Sequence, residues 1–337
     1  METPIEPEAD KKPAPPTITR PILWGLAAGV VLVLLPYVAA MAWVRHGFDF
    51  LTEDGPVWSY NASIMLLLPL VQGFVAGLAR GKWPKGGWAV VFSIWAFDNV
   101  AAIFILHEGT ICLIMASPLI WAGIGLAFLL GRALTGWRSG TGASVSLAPL
   151  VLLAVLAETQ GPTPNQADMV NDSIVIHAPA DYVWKYVVAY PENPKAADYW
   201  MWRLGLPAPV NSVAASPEVG AYRECRFTGG QSYGERITAV EPDRRLTYVV
   251  TRQMAHPEIN GHVSFDQGEI RLTPNADGST TMTMTGWYRL HVRPAPYFAL
   301  WSRDVSRHIH LRVLDYTRDL AERDYAHARA VKGGLPT

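Results

Sequence analysis

DSIVIHAPADYVWKYVVAY, residues 172–190, decides how the second half of this chain folds. It opens as a short β-branched strand and turns at Ala178-Pro179, where a proline in the first turn starts a helix. Downstream, YRECRF (222–227), GERITAVE (234–241), RLTYVVTRQ (245–253), GEIRLTP (268–274) and STTMTMTGWYRL (279–290) alternate as strands do. Gly-Gly, Pro-Asp and Asp-Gly turns separate them. From Tyr297 to Lys332 the chain holds neither proline nor glycine and reads as one long helix. A strand, a helix, antiparallel strands and a closing helix make an α+β domain over 171–328, with a linker at 158–170 and a tail at 329–337.

Upstream the composition changes. The chain has 337 residues, 50% apolar and 17% charged. That is too apolar for an ordinary soluble enzyme and too polar for a pure membrane bundle, so two parts are expected. A net charge of −1 gives no footing for nucleic acid. Two cysteines, Cys112 and Cys225, lie in different halves and exclude a disulfide framework or a cysteine zinc site. Residues 1–19, rich in Pro and Glu, read as a disordered tail. Within 20–157 five apolar stretches follow, at about 21–43, 62–79, 88–106, 110–131 and 143–157. A bilayer core takes about 20 apolar residues per helix, so an all-α transmembrane bundle of about five helices is expected, the fifth short and serine-bearing.

Lys11, Lys12 and Arg20 precede the first span, Arg80, Lys82 and Lys85 the third, and Arg132 and Arg138 the fifth, while the alternate loops are poor in Lys and Arg. The positive-inside rule then makes this a multi-pass inner (plasma) membrane protein. Its N-terminus is cytoplasmic and its C-terminal domain periplasmic or extracellular; without the fifth crossing the domain would lie inside. Asp98-Asn99 falls within the third span, where polar groups are costly. With Pro36, Pro69, Pro118 and Pro149 it reads either as a polar transfer path or as a protonated carboxyl hydrogen-bonded between helices.

The pattern Ile176-x-Ala178-Pro179-x-x-x-Val183-Trp184, followed by strands and a long C-terminal helix, resembles the START-like (SRPBCC) helix-grip superfamily over about 171–327. That grouping includes polyketide cyclase/dehydrase-type, pollen-allergen-like and lipid-transfer domains. More narrowly, GERIT, TGWYRL and LWSRDVSRHIHLRVL are similar to a group of bacterial multi-pass membrane proteins carrying this domain. Their membrane half has a segment like Glu108-Gly109-x-Ile111-Cys112-x-x-Met115. The resemblance implies an antiparallel sheet wrapped around the last helix and enclosing an apolar cavity. It does not imply one activity, since members bind lipids, sterols, aromatic polyketides or hormones and only some catalyse.

Two histidines, His308 and His310, stand two apart in the long helix. Such residues point about 200° apart and cannot grip one metal ion, so no metal and no cofactor is expected. Trp301, Val305, Ile309, Val313, Tyr316 and Leu320 recur at steps of three and four as the apolar stripe. His308 shares an edge with Asp304 and Arg312, which either orients an imidazole for proton transfer or carries weak solvated ion pairs. Leu300, Leu311 and Leu314 make a second apolar face, which calls for a neighbour: the membrane half, a homo-oligomer partner or lipid.

Met282, Met284 and Tyr288 share one strand face, as cavity lining or ordinary core. Trp200 and Trp202 lie where helix-grip proteins place the cavity mouth, or at a membrane interface. Glu235 shares a face with Ile237 and Ala239 and either meets a ligand hydroxyl or cation or faces outward; Tyr222, Glu224 and Arg226 offer a polar partner. With Trp301, Val305 and His308, these tryptophans, methionines, Glu235 and Tyr288 form the expected ligand-binding set. No Gly-x-Ser-x-Gly elbow, phosphate-binding glycine loop or HExxH is present, so no catalytic residue is assigned. His308, Glu235 and Tyr288 are the acid–base candidates. The leading expectation is a membrane-anchored extracytoplasmic binding or carrier domain for a hydrophobic small molecule (lipid, isoprenoid or aromatic). The alternatives are a cyclase or dehydratase using the cavity, and a transporter or sensor working through its membrane helices.

Overall fold

In the computed structural model the alternation at 172–176 belongs to a longer strand, β1 (Gln166–Ile176). The structure describes residues 66–78, 87–106, 108–137, 165–259 and 261–332, with positions 23 and 27. β1 pairs along its whole length with β7 (Thr280–Leu290), from Gln166 opposite Leu290 to Ile176 opposite Thr280. The polar start of β1 is therefore strand by pairing and not by local propensity, and the expected linker at 158–170 ends inside the sheet.

The other strands are β2 (Pro209–Ala214), β3 (Tyr222–Phe227), β4 (Ser232–Glu241), β5 (Arg245–Arg252) and β6 (Val263–Pro274). They give one seven-stranded antiparallel sheet in the order β1-β7-β6-β5-β4-β3-β2. Register shifts in β2/β3, β4/β5 and β6/β7 bend and twist it. The long helix α6 (Ala295–Lys332) packs on the sheet through Val313, Leu314 and Leu320, against Ile237, Ile270 and Met282. Each such side chain is worth about 1.5–3 kcal/mol when fully buried. Two short helices, α4 (Ala180–Trp184) and α5 (Trp200–Arg203), complete the domain.

The amino-terminal half contributes α1 (Leu68–Leu78), α2 (Gly87–Ala101), which loosens into a π turn over Ala102–Leu106, and α3 (Thr110–Trp137). The windows Gly87–Phe104 and Thr110–Leu134 are long and apolar enough to cross a membrane, whereas Leu68–Leu78 is shorter. The five-helix bundle is thus not displayed by the described residues, which hold three apolar helices. The spans expected at 21–43 and 143–157 lie outside them, apart from positions 23 and 27. α1 and α3 pack backbone to backbone: a Cβ on Gly77 would stand 2.3 Å from the Phe128 carbonyl oxygen, and one on Gly131 2.3 Å from that of Phe74. Small residues permit such an approach between apolar helices. The Gln72 side-chain amide of α1 donates to Asp98 of α2 at 2.9 Å, and Asn99 donates to the Trp95 carbonyl of its own helix at 2.8 Å.

At the start of β1, Asp168 accepts two hydrogen bonds from Arg303 of α6 at 3.0 and 3.1 Å, one from the Tyr288 hydroxyl at 3.2 Å and one from the Met169 N–H. Partial burial pushes the Asp168 carboxyl up, but the Arg303 bonds and their companions more than offset it, and the net direction is down. A carboxyl depressed in the folded state stabilises above its unfolded value, and that contribution disappears as pH falls through the folded one. Hydrogen exchange of the β1 amides should therefore be slower in wild type than in Asp168→Asn at neutral pH. The gap should close as pH is lowered from about 5; a gap independent of pH would show that the charge contributes nothing.

Candidate functional site

The segment joining β5 to β6 leaves the sheet and reaches the apolar helices. Its Glu258 carboxylate accepts the Ile111 N–H at 3.0 Å and the Cys112 N–H at 2.9 Å. These are first-turn donors of α3, which no helical carbonyl can satisfy, and the helix dipole there favours an anion. Gly109 makes the approach feasible, since a Cβ on it would lie 2.2 Å from Glu258 Oε2. At the end of the same segment His262 places Nδ1 3.2 Å from Cys112 Sγ and Nε2 3.5 Å from Glu108 Oε2. Glu108, Cys112 and His262 are all buried, and Glu108 Oε1 has no hydrogen-bond partner among the described residues. A second seam joins the halves where the Tyr297 hydroxyl of α6 donates to the Met115 carbonyl at 2.6 Å.

Between these seams lies an apolar cavity of about 80 Å³. At about 10–15 Å³ per water it has room for a handful of waters or a stretch of alkyl chain. α3 contributes Ile111, Cys112 and Met115, and α6 contributes Trp301, Val305 and Ile309. Met254, Glu258, Ile259 and His262 close it from the β5–β6 segment. The last helix thus meets the apolar half through its main stripe, while Leu300 stays exposed and Leu314 is buried in the sheet core.

Of the residues expected to bind a ligand, Trp301 and Val305 line this cavity. Met282 and Met284 sit in the main core, and Tyr288 is buried with Leu290 and Ala299. Trp202 packs beside Tyr199 and Met201 near Ile111, and Trp200 is exposed. His308 stacks on Tyr199 with ring centroids 3.8 Å apart and has Nδ1 2.8 Å from its own helix's Asp304 carbonyl. Asp304 accepts the Tyr199 hydroxyl at 2.6 Å, and Arg312 donates to the carbonyls of Lys195, Ala196 and Pro209. The Asp304–His308–Arg312 row therefore clamps the 195–209 segment onto α6. His310 turns away to Asp172, with Nδ1 3.0 Å from its Oδ2.

Glu235 is buried, and the cation it meets belongs to the chain: Arg223, directly opposite it in the β3–β4 register. Arg223 also donates to the Val188 carbonyl at 2.8 Å and to Ser212 Oγ at 3.3 Å, with its guanidinium 5.1 Å above the Tyr248 ring. Burial works against that charge, but Glu235 beside it, with its neighbours, holds the guanidinium protonated. Tyr222, Glu224 and Arg226 lie on the other face of β3, where Glu224 binds Arg226 and Arg252. Sequence reasoning missed Arg223, Glu108, Cys112, Glu258 and His262 as functional groups. Of these, the sequence marks only the Glu108–Met115 segment, through its resemblance.

A bent antiparallel sheet closed by a long C-terminal helix defines a helix-grip domain, here seated on apolar helices. Residues 169–310 match the family described as "Polyketide cyclase / dehydrase and lipid transport", so the C-terminal half is a polyketide cyclase/dehydrase-type (SRPBCC) domain. Among solved structures, the chain is similar to a truncated norcoclaurine synthase from Thalictrum flavum at 13% identity, covering 47% of this chain and 94% of that one, with a TM-score of 0.33. It is similar to the Zhui aromatase/cyclase from Streptomyces sp. R1128 at 16% identity, covering 47% and 95%, with a TM-score of 0.33. A protein from Nitrosospira multiformis is 19% identical over 44% of this chain and 94% of that one, with a TM-score of 0.30. No curated protein matches this chain.

Proposed function

We propose that this protein draws an apolar small molecule (a lipid, an isoprenoid or an aromatic compound) out of the bilayer into the cavity between α3 and the sheet domain, and holds it there as a binding or carrier protein. The observation that carries this reading is the cavity's position. One wall belongs to a helix apolar enough to span a membrane and the other to the helix-grip domain. A ligand passing between them need not cross water. Burial of its apolar surface at about 25 cal/mol per Å² supplies the affinity, and the few polar groups at Cys112, His262 and Glu258 set its orientation.

The same contact supports the expected topology. The domain docks at the Ile111 end of α3, whereas Arg132 lies about 30 Å further along at 1.5 Å per residue. Arg132 thus lies toward the end of α3 away from the domain, the end that the positive-inside reading of the sequence assigns to the cytoplasm. This reading keeps the domain on the periplasmic or extracellular face and the outer spans at 21–43 and 143–157. A second reading, catalysis in the same cavity, is favoured by the thiol, imidazole and carboxylate that meet at its edge.

Full-length protein purified in detergent should release a dominant apolar compound on solvent extraction, identified by mass spectrometry. Ser306→Phe, which fills the cavity from a buried position on α6, should lower that yield by about tenfold or more. Equal yields from the two proteins would sink the cavity as the binding site.

A further inference from the structure

We propose that Cys112, His262 and Glu108 form a nucleophilic thiol site at the edge of this cavity, one that accepts an acyl group from an ester or thioester carrying an apolar chain. The inference rests on the cavity reading above and adds a reaction to it.

Three features of the geometry support it. First, the imidazole bridges: Nδ1 lies 3.2 Å from Cys112 Sγ, while Nε2, across the ring, lies 3.5 Å from Glu108 Oε2. A metal site needs its donors to converge on one point, and among the described residues no His, Cys, Asp and Glu group does so. Thiol, imidazole and carboxylate in a row instead match a nucleophile, its general base and the group that orients the base. The thiol has two acceptors in reach, His262 Nδ1 at 3.2 Å and the Glu258 carbonyl at 3.5 Å; with its proton on the nearer one, the neutral ring carries its own proton on Nε2, facing Glu108. Second, Glu108 is buried with one carboxylate oxygen unpartnered among the described residues. A buried carboxylate is costly unless a positive or donating group offsets it, and the His262 ring nitrogen is the polar group beside it. Third, both Cys112 and His262 line the cavity, so the sulfur faces apolar space that admits a stretch of alkyl chain and not bulk water.

The step balances without an oxidant. Sγ attacks the carbonyl carbon, a C–S bond forms, and the C–O or C–S bond to the leaving alcohol or thiol breaks. The thiol proton passes to His262 Nδ1 and from there to the leaving group. Water or a second alcohol then removes the acyl group and restores the thiol. Cys112 is the nucleophile, His262 the general base, and Glu108 a positioning residue that acts through His262. Glu258 is, among the described residues, the other carboxylate facing the thiol. Its carboxylate holds the Ile111 and Cys112 N–H groups, the donors that the developing oxyanion would need, so acyl transfer requires the Glu258 side chain alone to rotate off them while the segment stays docked and His262 stays beside Cys112.

The test uses full-length protein in detergent with p-nitrophenyl dodecanoate as the acyl donor. The chain's two cysteines make assignment direct. Cys225 is a built-in reference, because burial pushes its thiol up to about 12. Wild type should acquire a hydroxylamine-labile dodecanoyl group on Cys112, unchanged in Cys225→Ser, absent in Cys112→Ser and reduced in Ser306→Phe. His262→Asn should slow acylation by about 10²–10⁴-fold. Glu108→Gln should slow it less and move the midpoint of its pH–rate profile, which a loss of packing alone would leave in place. No adduct at Cys112, or one whose rate His262→Asn leaves unchanged, overturns the proposed three-residue site. If the native apolar compound is still retained in that case, the cavity reading stands; if both are missing, both fall.

Discussion

Arg223→Met is expected to remove about 3–5 kcal/mol of stability from the sheet domain, because it strands the Glu235 carboxylate inside the sheet. The pair costs desolvation on both sides and is held by direct ionic contact, by the Val188 carbonyl and Ser212 hydroxyl on the guanidinium, and by the Tyr248 ring beneath it. Removing one partner leaves the other charge without an offset, whereas removing both leaves neither. Arg223→Met combined with Glu235→Leu should therefore recover most of the loss, and denaturant unfolding of the full chain measures all three proteins. A single substitution costing less than about 1 kcal/mol would mean that water reaches the pair. The double variant also assigns the pair's role. If Glu235 serves the fold alone, the double variant keeps the co-purifying apolar compound. If Glu235 holds that compound, stability returns while the compound is lost.

The strands at 222–227, 234–241, 245–253 and 279–290 could be read because period-two alternation is local. The stripe Trp301–Val305–Ile309 could be read for the same reason at period 3.6. β2 could not: it is six residues long, opens on Pro209, and takes its identity from β3 across a chain reversal. Nor could the polar half of β1, which is strand only because β7 lies beside it. Arg223 shows another limit. Alternation says that Tyr222, Glu224 and Arg226 share a face and Arg223 does not, but only the packing of α6 says which face is inside.

Only a small part of the candidate site is legible in the sequence, Trp301 and Val305. The rest is not, because Cys112 and His262 are 150 residues apart and meet through a segment with neither strand nor helix periodicity. The Glu108–Met115 motif stood out without an explanation. The structure supplies one for each residue: Glu108 faces His262, Gly109 makes room for Glu258, Ile111 and Cys112 line the cavity and bind Glu258, and Met115 receives Tyr297.

That account makes Gly109→Val the substitution with the largest expected effect on the junction. Its Cβ would fall 2.2 Å from the Glu258 carboxylate oxygen, and a branched side chain cannot yield there without expelling the carboxylate. Two charge-assisted hydrogen bonds would go with it, each worth about 1.5–3 kcal/mol, so the docking should weaken by about 3 kcal/mol or more. His262 lies on the same segment as Glu258, so Cys112 should lose its imidazole as the cavity loses that wall. Hydrogen exchange should then rise together in the first turn of α3 and in the β5–β6 segment, while the β1–β7 ladder keeps its protection. Retention of the apolar compound should fall as far as it does in Ser306→Phe. Glu258→Gln keeps an acceptor oxygen but not the charge, and should lie between wild type and Gly109→Val. Exchange confined to α3 alone would mean that the two halves are held by the Tyr297–Met115 seam and the apolar contacts of α6, with Glu258 only capping a helix.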